Sequence, residues 1–132
     1  MKKRDLRLEK YDISKFAYRE LMYFCLQYEE KKERAQNARQ LSATCLSAMP
    51  RCSDLRKPTE SKAVLAAHLL EDCELIEQAA IEATDGVCYQ QLIKNVTLGI
   101  PYYYLDAPCG KNQFSEMRRR FFYILAKRKG IV

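Results

Sequence analysis

The 132-residue chain carries 23 Lys and Arg against 17 Asp and Glu, a net charge of +6, with one His, six Cys, no Trp and only four Gly and four Pro. A chain of this size builds one compact core without metal or disulfide support, and 48% hydrophobic with 30% charged residues excludes a disordered, collagen-like or disulfide-scaffold protein. A second catalytic domain is not expected, and the longest nearly apolar run, residues 63–70 interrupted by His68, falls far short of the ~20 residues that cross a bilayer.

These bounds predict a single all-α domain over residues 1–132, with no membrane contact. The start Met1-Lys2-Lys3-Arg4-Asp5 is charged and lacks the apolar stretch of a signal peptide, so a cytoplasmic location is expected. There the six cysteines read as reduced thiols, and none forms a C-x-x-C pair.

The first element is a helix opening at Asp12-Ile13-Ser14, with Ser14 or Asp12 able to cap it. Phe16, Leu21, Cys25 and Tyr28 recur at helical spacing, with Tyr18, Met22 and Leu26 beside them. No Gly or Pro interrupts the pattern before Pro50, which predicts one long helix in the segment 14–49. Continuous to about residue 46, it would span roughly 50 Å, more than a domain of this size is wide. Its distal part must protrude or pack on something else, and a homodimer through it is one use of the excess length.

Residues 50–58 (PRCSDLRKP) read as the main loop, and a second long helix is expected over 58–86 with Thr59 as N-cap. Val64, Leu65, Leu69, Ile76 and Ala80 form its predicted apolar stripe, with Cys73 and Leu75 at the margins, and Asp85-Gly86 ends it. A short helix follows from Tyr89 to about Val96. Pro101 then opens a further short helix within Tyr102–Gly110, and the last helix runs from Lys111 or Asn112 to Lys129 with Gly130 as its stop. No run alternates like a strand.

Divided along the chain, the charge is +3 over residues 1–10, +1 over 11–39, +2 over 40–62, −6 over 63–109 and +6 over 110–132. An acidic helix therefore precedes a basic C-terminal one, and the basic end is the candidate surface for a polyanion. On a helical projection Phe114, Met117, Phe121, Phe122, Ile124 and Leu125 share one face, while Asn112, Glu116, Arg119, Arg120, Tyr123 and Lys127 share the other. Arg118 falls inside the apolar arc and is expected to lie along its neighbours or to pair with an acid of the second helix. Lys111, Asn112 and Gln113 at the helix start suit base edges in a major groove, because Asn and Gln match adenine and Lys matches guanine; Arg119, Arg120 and Lys127 suit phosphates. Lys2, Lys3, Arg4 and Arg7 would add phosphate contacts from the N-terminus. A short helix and a turn before such a helix is the layout of a helix-turn-helix over residues 89–132.

The stretches FAYRELMYFCLQYEEKKE, LEDCELIEQAAIEA and GIPYYYLDAPCGKNQFSEMRRRFFYILAKRKG resemble the small phage and prophage late-gene activators of the RinA/ArpU type, which end in a sigma-region-4-like helix-turn-helix. The resemblance implies a transcriptional regulator of phage or prophage origin, with double-stranded DNA and host RNA polymerase as partners. It implies recognition-helix roles for Lys111, Asn112, Gln113, Ser115, Glu116, Arg119 and Arg120.

Two rivals stand beside this expectation. One is a phage-encoded protein-interaction module or inhibitor of a host protein that keeps the helix-turn-helix as scaffold. The other is a small terminase-like DNA-packaging protein. No enzyme, cofactor or metal is expected: His68 has no second histidine to work with, and Glu71, Asp72, Glu74 and Glu82 lack a phosphate loop or basic clamp beside them.

Overall fold

The computed structural model describes residues 8–48 and 56–132, and side-chain surroundings for 8–38 and 61–132. Lys2, Lys3, Arg4 and Arg7 lie outside the described residues, as do positions 50–55 of the expected main loop. The protein is all-α. Its helices are α1 (Lys15–Leu26), α2 (Tyr28–Ala48), α3 (Arg56–Thr84), α4 (Tyr89–Leu98) and α5 (Lys111–Lys129), with 3-10 turns at Glu9–Tyr11 and Tyr102–Tyr104. No strand occurs among the described residues, and none of the described helices is long and apolar enough to cross a membrane.

Local chemistry explains the helix ends. Ser14 is extended and its hydroxyl accepts from the Ala17 N–H at 3.1 Å, which caps α1. Pro58 lies in the first turn of α3, where a missing N–H has no intrahelical partner to lose. This places the start of α3 ahead of Thr59, the residue expected to cap it. At its other end Asp85 and Gly86 both take left-handed backbone, at φ of 53° and 83°, and the Gly86 N–H returns to the Ile81 carbonyl. Gly130 closes α5 in the same way, with φ of 75° and the Ile131 N–H on the Ala126 carbonyl at 2.9 Å.

The long first helix predicted over 14–49 is two helices. Gln27 interrupts it: its N–H turns to the carbonyls of Phe24 and Cys25, tightening the last turn of α1 before α2 begins at Tyr28. Neither Gly nor Pro marks this break. The side chains on its two sides are committed to different surroundings, since the described residues gather into two compact units, one of residues up to Gln27 with 75–132, the other of Tyr28–Glu74.

In the second unit α2 lies antiparallel to residues 56–74 of α3. Ala35, Ala38, Ala66 and Leu69 are buried together with Leu70 against them, Lys31 pairs with Asp72 at 3.0 Å, and the Cys73 thiol donates to the Tyr28 carbonyl at 3.7 Å. The small residues allow close approach of the two helices. This hairpin takes up length that the sequence left over, so helix length alone no longer argues for a homodimer.

The first unit holds the larger core. Tyr18, Leu21 and Cys25 of α1, Ile76, Ala79, Ala80 and Ala83 of α3, Leu92 and Val96 of α4, and Phe114, Phe121, Phe122 and Leu125 of α5 are all buried. Two assignments move. Phe16, placed on the buried stripe of the first helix, is 76% exposed, and Val64 and Leu65 are exposed while Ala66, Ala79 and Ala83 are buried. On α3 the buried line is thus rotated towards alanines, whose small volume a search for large apolar residues passes over.

Because Phe121 is fully enclosed, Phe121→Ala is expected to destabilise the protein by about 3–5 kcal/mol in urea unfolding followed by circular dichroism, whereas exposed Phe16→Ala should stay within about 0.5 kcal/mol.

Candidate nucleic-acid interface

α5 presents a narrow outward strip because so much of it is inside. Phe121 and Phe122 are consecutive and buried, as are Ile124, Leu125 and Ala126. Rings of Phe121 and Phe122 meet edge-on at 5.1 Å, and Tyr18 meets Phe122 in the same geometry at 5.1 Å. What remains outside is Lys111, Asn112, Gln113, Glu116, Arg120, Lys127 and Arg128, with Ser115, Arg119 and Tyr123 half-buried. The predicted strip is therefore assembled on one helix.

Most of its cations are engaged within the protein. Lys111 donates to the Tyr103 hydroxyl at 3.0 Å and lies 5.1 Å from that ring, and the hydrogen bond raises its pKa above the ordinary 10.5. Arg119 donates to Glu116 at 2.6 Å, and Glu116 also receives Lys10 at 3.4 Å. Lys127 sits over the Tyr123 ring at 5.1 Å, Lys129 over Phe24 at 3.8 Å, and Arg128 pairs with Glu82 at 2.8 Å. Arg120 has no side-chain partner among the described residues. Arg118 follows the first of its two expected courses: it reaches the Tyr18 hydroxyl at 3.2 Å and lies 5.8 Å from the Phe122 ring, with Nε buried and unpartnered.

The N-terminal 3-10 turn packs on this strip. Tyr11 stacks on Tyr123 with ring centroids 4.8 Å apart, beside the Lys10–Glu116 pair. Lys10, Tyr11, Asp12, Tyr123 and Val132 border a shallow depression of about 320 Å³. Lys10 and Tyr11 thus lie against the middle of the strip, and its open parts are the first turn, Lys111–Gln113, and the Arg120 and Lys127 positions. Sequence reasoning missed Lys10 and Tyr11 as partners of α5. They lie more than a hundred residues away, and no local pattern signals the meeting.

The segment before α5 differs from the expected short helix. Only Tyr102–Tyr104 is helical, as one 3-10 turn, and the preceding α-helix, α4, ends at Leu98. Pro101 is extended at the start of the turn, Asp106 is left-handed at φ of 49°, and Pro108 disfavours helix at Ala107, so the turn cannot propagate. A compact helix-turn-helix joins its helices through three or four residues, and the connection here is residues 99–110. Side chains hold it: Asn95 donates to the Ile100 carbonyl at 2.8 Å, the Tyr102 hydroxyl donates to the Cys109 carbonyl at 2.6 Å, and the Tyr102 ring lies against Phe114 at 5.4 Å. It delivers Gly110 as the N-cap of α5, with extended backbone and no side-chain cap.

No group of three or more metal-binding side chains occurs among the described residues; His68 is exposed beside Glu71 at 3.6 Å. No protein-family model matches the chain, no curated protein matches its sequence, and no solved structure matches its fold.

The Lys10–Glu116–Arg119 group sets a pH dependence. The hydrogen bond from Lys10 holds the Glu116 carboxyl below its ordinary 4.5, and the same bond raises Lys10 above 10.5. The Glu116 contribution is complete above pH 4.5 and is lost as pH falls through the lower folded value; that of Lys10 is complete below pH 10.5 and is lost as pH rises past it. In an NMR titration Glu116 should titrate below 4.5 and move back up in Lys10→Ala; a midpoint indifferent to that substitution would refute the contact.

Proposed function

We propose that the protein is a double-stranded-DNA-binding regulator that touches DNA with the start and outer strip of α5. One observation carries this: the uncapped first turn of a basic helix exposes Asn112 and Gln113 beside Lys111, with Arg120 and Lys127 further along the same helix. Free N–H groups at a helix start attract phosphate, exposed amides match adenine edges, and the downstream cations match the backbone. In this reading Glu116, which receives both Lys10 and Arg119, holds the N-terminal turn in place, and base reading falls to the first turn. Ser115, half-buried behind Asn112, supports a phosphate contact at most.

Regulation of transcription, a phage or prophage origin and contact with host RNA polymerase come from the resemblance to RinA/ArpU-type activators. In this reading α5 lies along the groove, its first turn at the base edges and Arg120 and Lys127 at the backbone, with the 99–110 segment in the place that a second helix takes in a compact helix-turn-helix.

A protein-interaction module is the second reading, favoured by Phe16 and Tyr23, which are one heptad apart on α1 and both exposed. The two separate in one titration. With three cations, Lys111, Arg120 and Lys127, available to phosphates, DNA affinity measured by fluorescence anisotropy should fall with salt at a log–log slope of roughly −2.7, and Arg120→Ala with Lys127→Ala should flatten it by about 2. Asn112→Ala with Gln113→Ala should leave the slope and erase discrimination between the DNA flanking the gene and unrelated DNA. Affinity that is absent, or indifferent to salt and to all four substitutions, would favour the protein-binding face of Phe16 and Tyr23.

A further inference from the structure

Two cysteines that the proposed function does not use meet where the 99–110 segment closes on the fold. Cys88 is the N-cap residue of α4 and is fully buried, while Cys109 precedes the N-cap of α5 and is half-buried. Their sulfurs lie 3.7 Å apart, with the Cys88 thiol donating to the Cys109 sulfur. A disulfide bond is about 2.0 Å long, so a side-chain movement of under about 2 Å separates this contact from a covalent link. Nothing in the spacing advertises it: the pair is 21 positions apart and resembles no redox motif.

We propose that Cys88 and Cys109 form a redox-active dithiol, in which Cys109 is oxidised by peroxide and Cys88 resolves the product to an intramolecular disulfide. In the first step the Cys109 sulfur attacks one oxygen of hydrogen peroxide. The S–O bond forms as the O–O bond breaks, and the departing hydroxide takes up the thiol proton, leaving a sulfenic acid and water. In the second step the Cys88 sulfur attacks the sulfenic sulfur. The S–S bond forms as the S–O bond breaks, and hydroxide leaves with the Cys88 proton as a second water. Two thiols are oxidised and one peroxide is reduced.

Exposure assigns the roles. Of the two, Cys109 meets solvent and hence the oxidant; Cys88 is enclosed, and Cys109 is the sulfur beside it. Burial pushes the Cys88 thiol up from its ordinary 9.0, which favours the less reactive thiol form at this sulfur and leaves the first oxidation to Cys109. Cys25 and Cys73, enclosed in helix packing, are shielded internal references. The disulfide would fasten the start of α4 to the residue two places before Lys111, clasping α4 and the whole segment after it into one covalent loop.

The test uses the full reduced chain. It is treated with one equivalent of hydrogen peroxide, alkylated, digested without reductant and mapped by mass spectrometry. The dominant product should join the Cys88 and Cys109 peptides, at least about tenfold ahead of oxidation at Cys25 or Cys73, and denaturant should abolish that preference. In Cys88→Ser, Cys109 should instead be captured as a dimedone adduct; in Cys109→Ser, Cys88 should remain a thiol. A wild-type map in which both stay reduced while other cysteines oxidise, or in which Cys109 links mainly to a different cysteine or a second chain, would overturn the proposal whatever the variants do. DNA affinity does not enter the readout, so the result stands apart from the function proposed above.

Discussion

Consecutive buried side chains on α5 are the constraint from which the described chemistry follows. Phe121 and Phe122 point some 100° apart on a helix, and with Ile124, Leu125 and Ala126 also buried the enclosed arc takes up more than half of its circumference. Only a narrow strip is left for solvent. The same enclosure draws Arg118 inward against Tyr18 and Phe122, so three consecutive arginines end in three settings: one packed on aromatic rings, one in an ion pair and one open.

That division changes what the local charge means. A net +6 over residues 110–132 suggests a uniformly basic helix. In the folded protein much of it is spent on internal contacts, two of them with carboxylates and several with aromatic rings or hydroxyls. A cation resting on a ring keeps its charge and one solvated side, so Lys111 and Lys127 still project a field. An arginine shared with a carboxylate projects little. The surface potential is therefore set by which partner each cation found.

Much of the helical plan was legible in sequence because it depends on local signals: Ser14 before an apolar-periodic run, Asp85-Gly86 and Gly130 as left-handed stops, and the face division of α5. The break at Gln27 was not, since a helix former stands there and the interruption reflects packing on either side of it. The exposure of Phe16 and the alanine line of α3 were hidden for a related reason: periodicity locates a face only to within the choice among its neighbours, and tertiary packing makes that choice. At the interface, the outward residues of α5 could be read, but the cover supplied by Lys10 and Tyr11 and the meeting of Cys88 with Cys109 are long-range. The expected short helix over 102–110 failed because Pro108 and left-handed Asp106 outweigh the helical start offered by Pro101.

The stack of Tyr11 on Tyr123 has a consequence for how the chain is made. The first unit is assembled from residues up to Gln27 and after Glu74, with the second unit interposed in sequence, so its core lacks Phe114, Phe121, Phe122 and Leu125 until α5 has been translated. During synthesis the α2–α3 hairpin can close first on its own contacts, whereas α1, carrying Tyr18 and Leu21, must wait with its apolar face uncovered. A ribosome that stalls before α5 emerges therefore displays an early helix in need of shelter, and α5 acts as the clasp that closes this core.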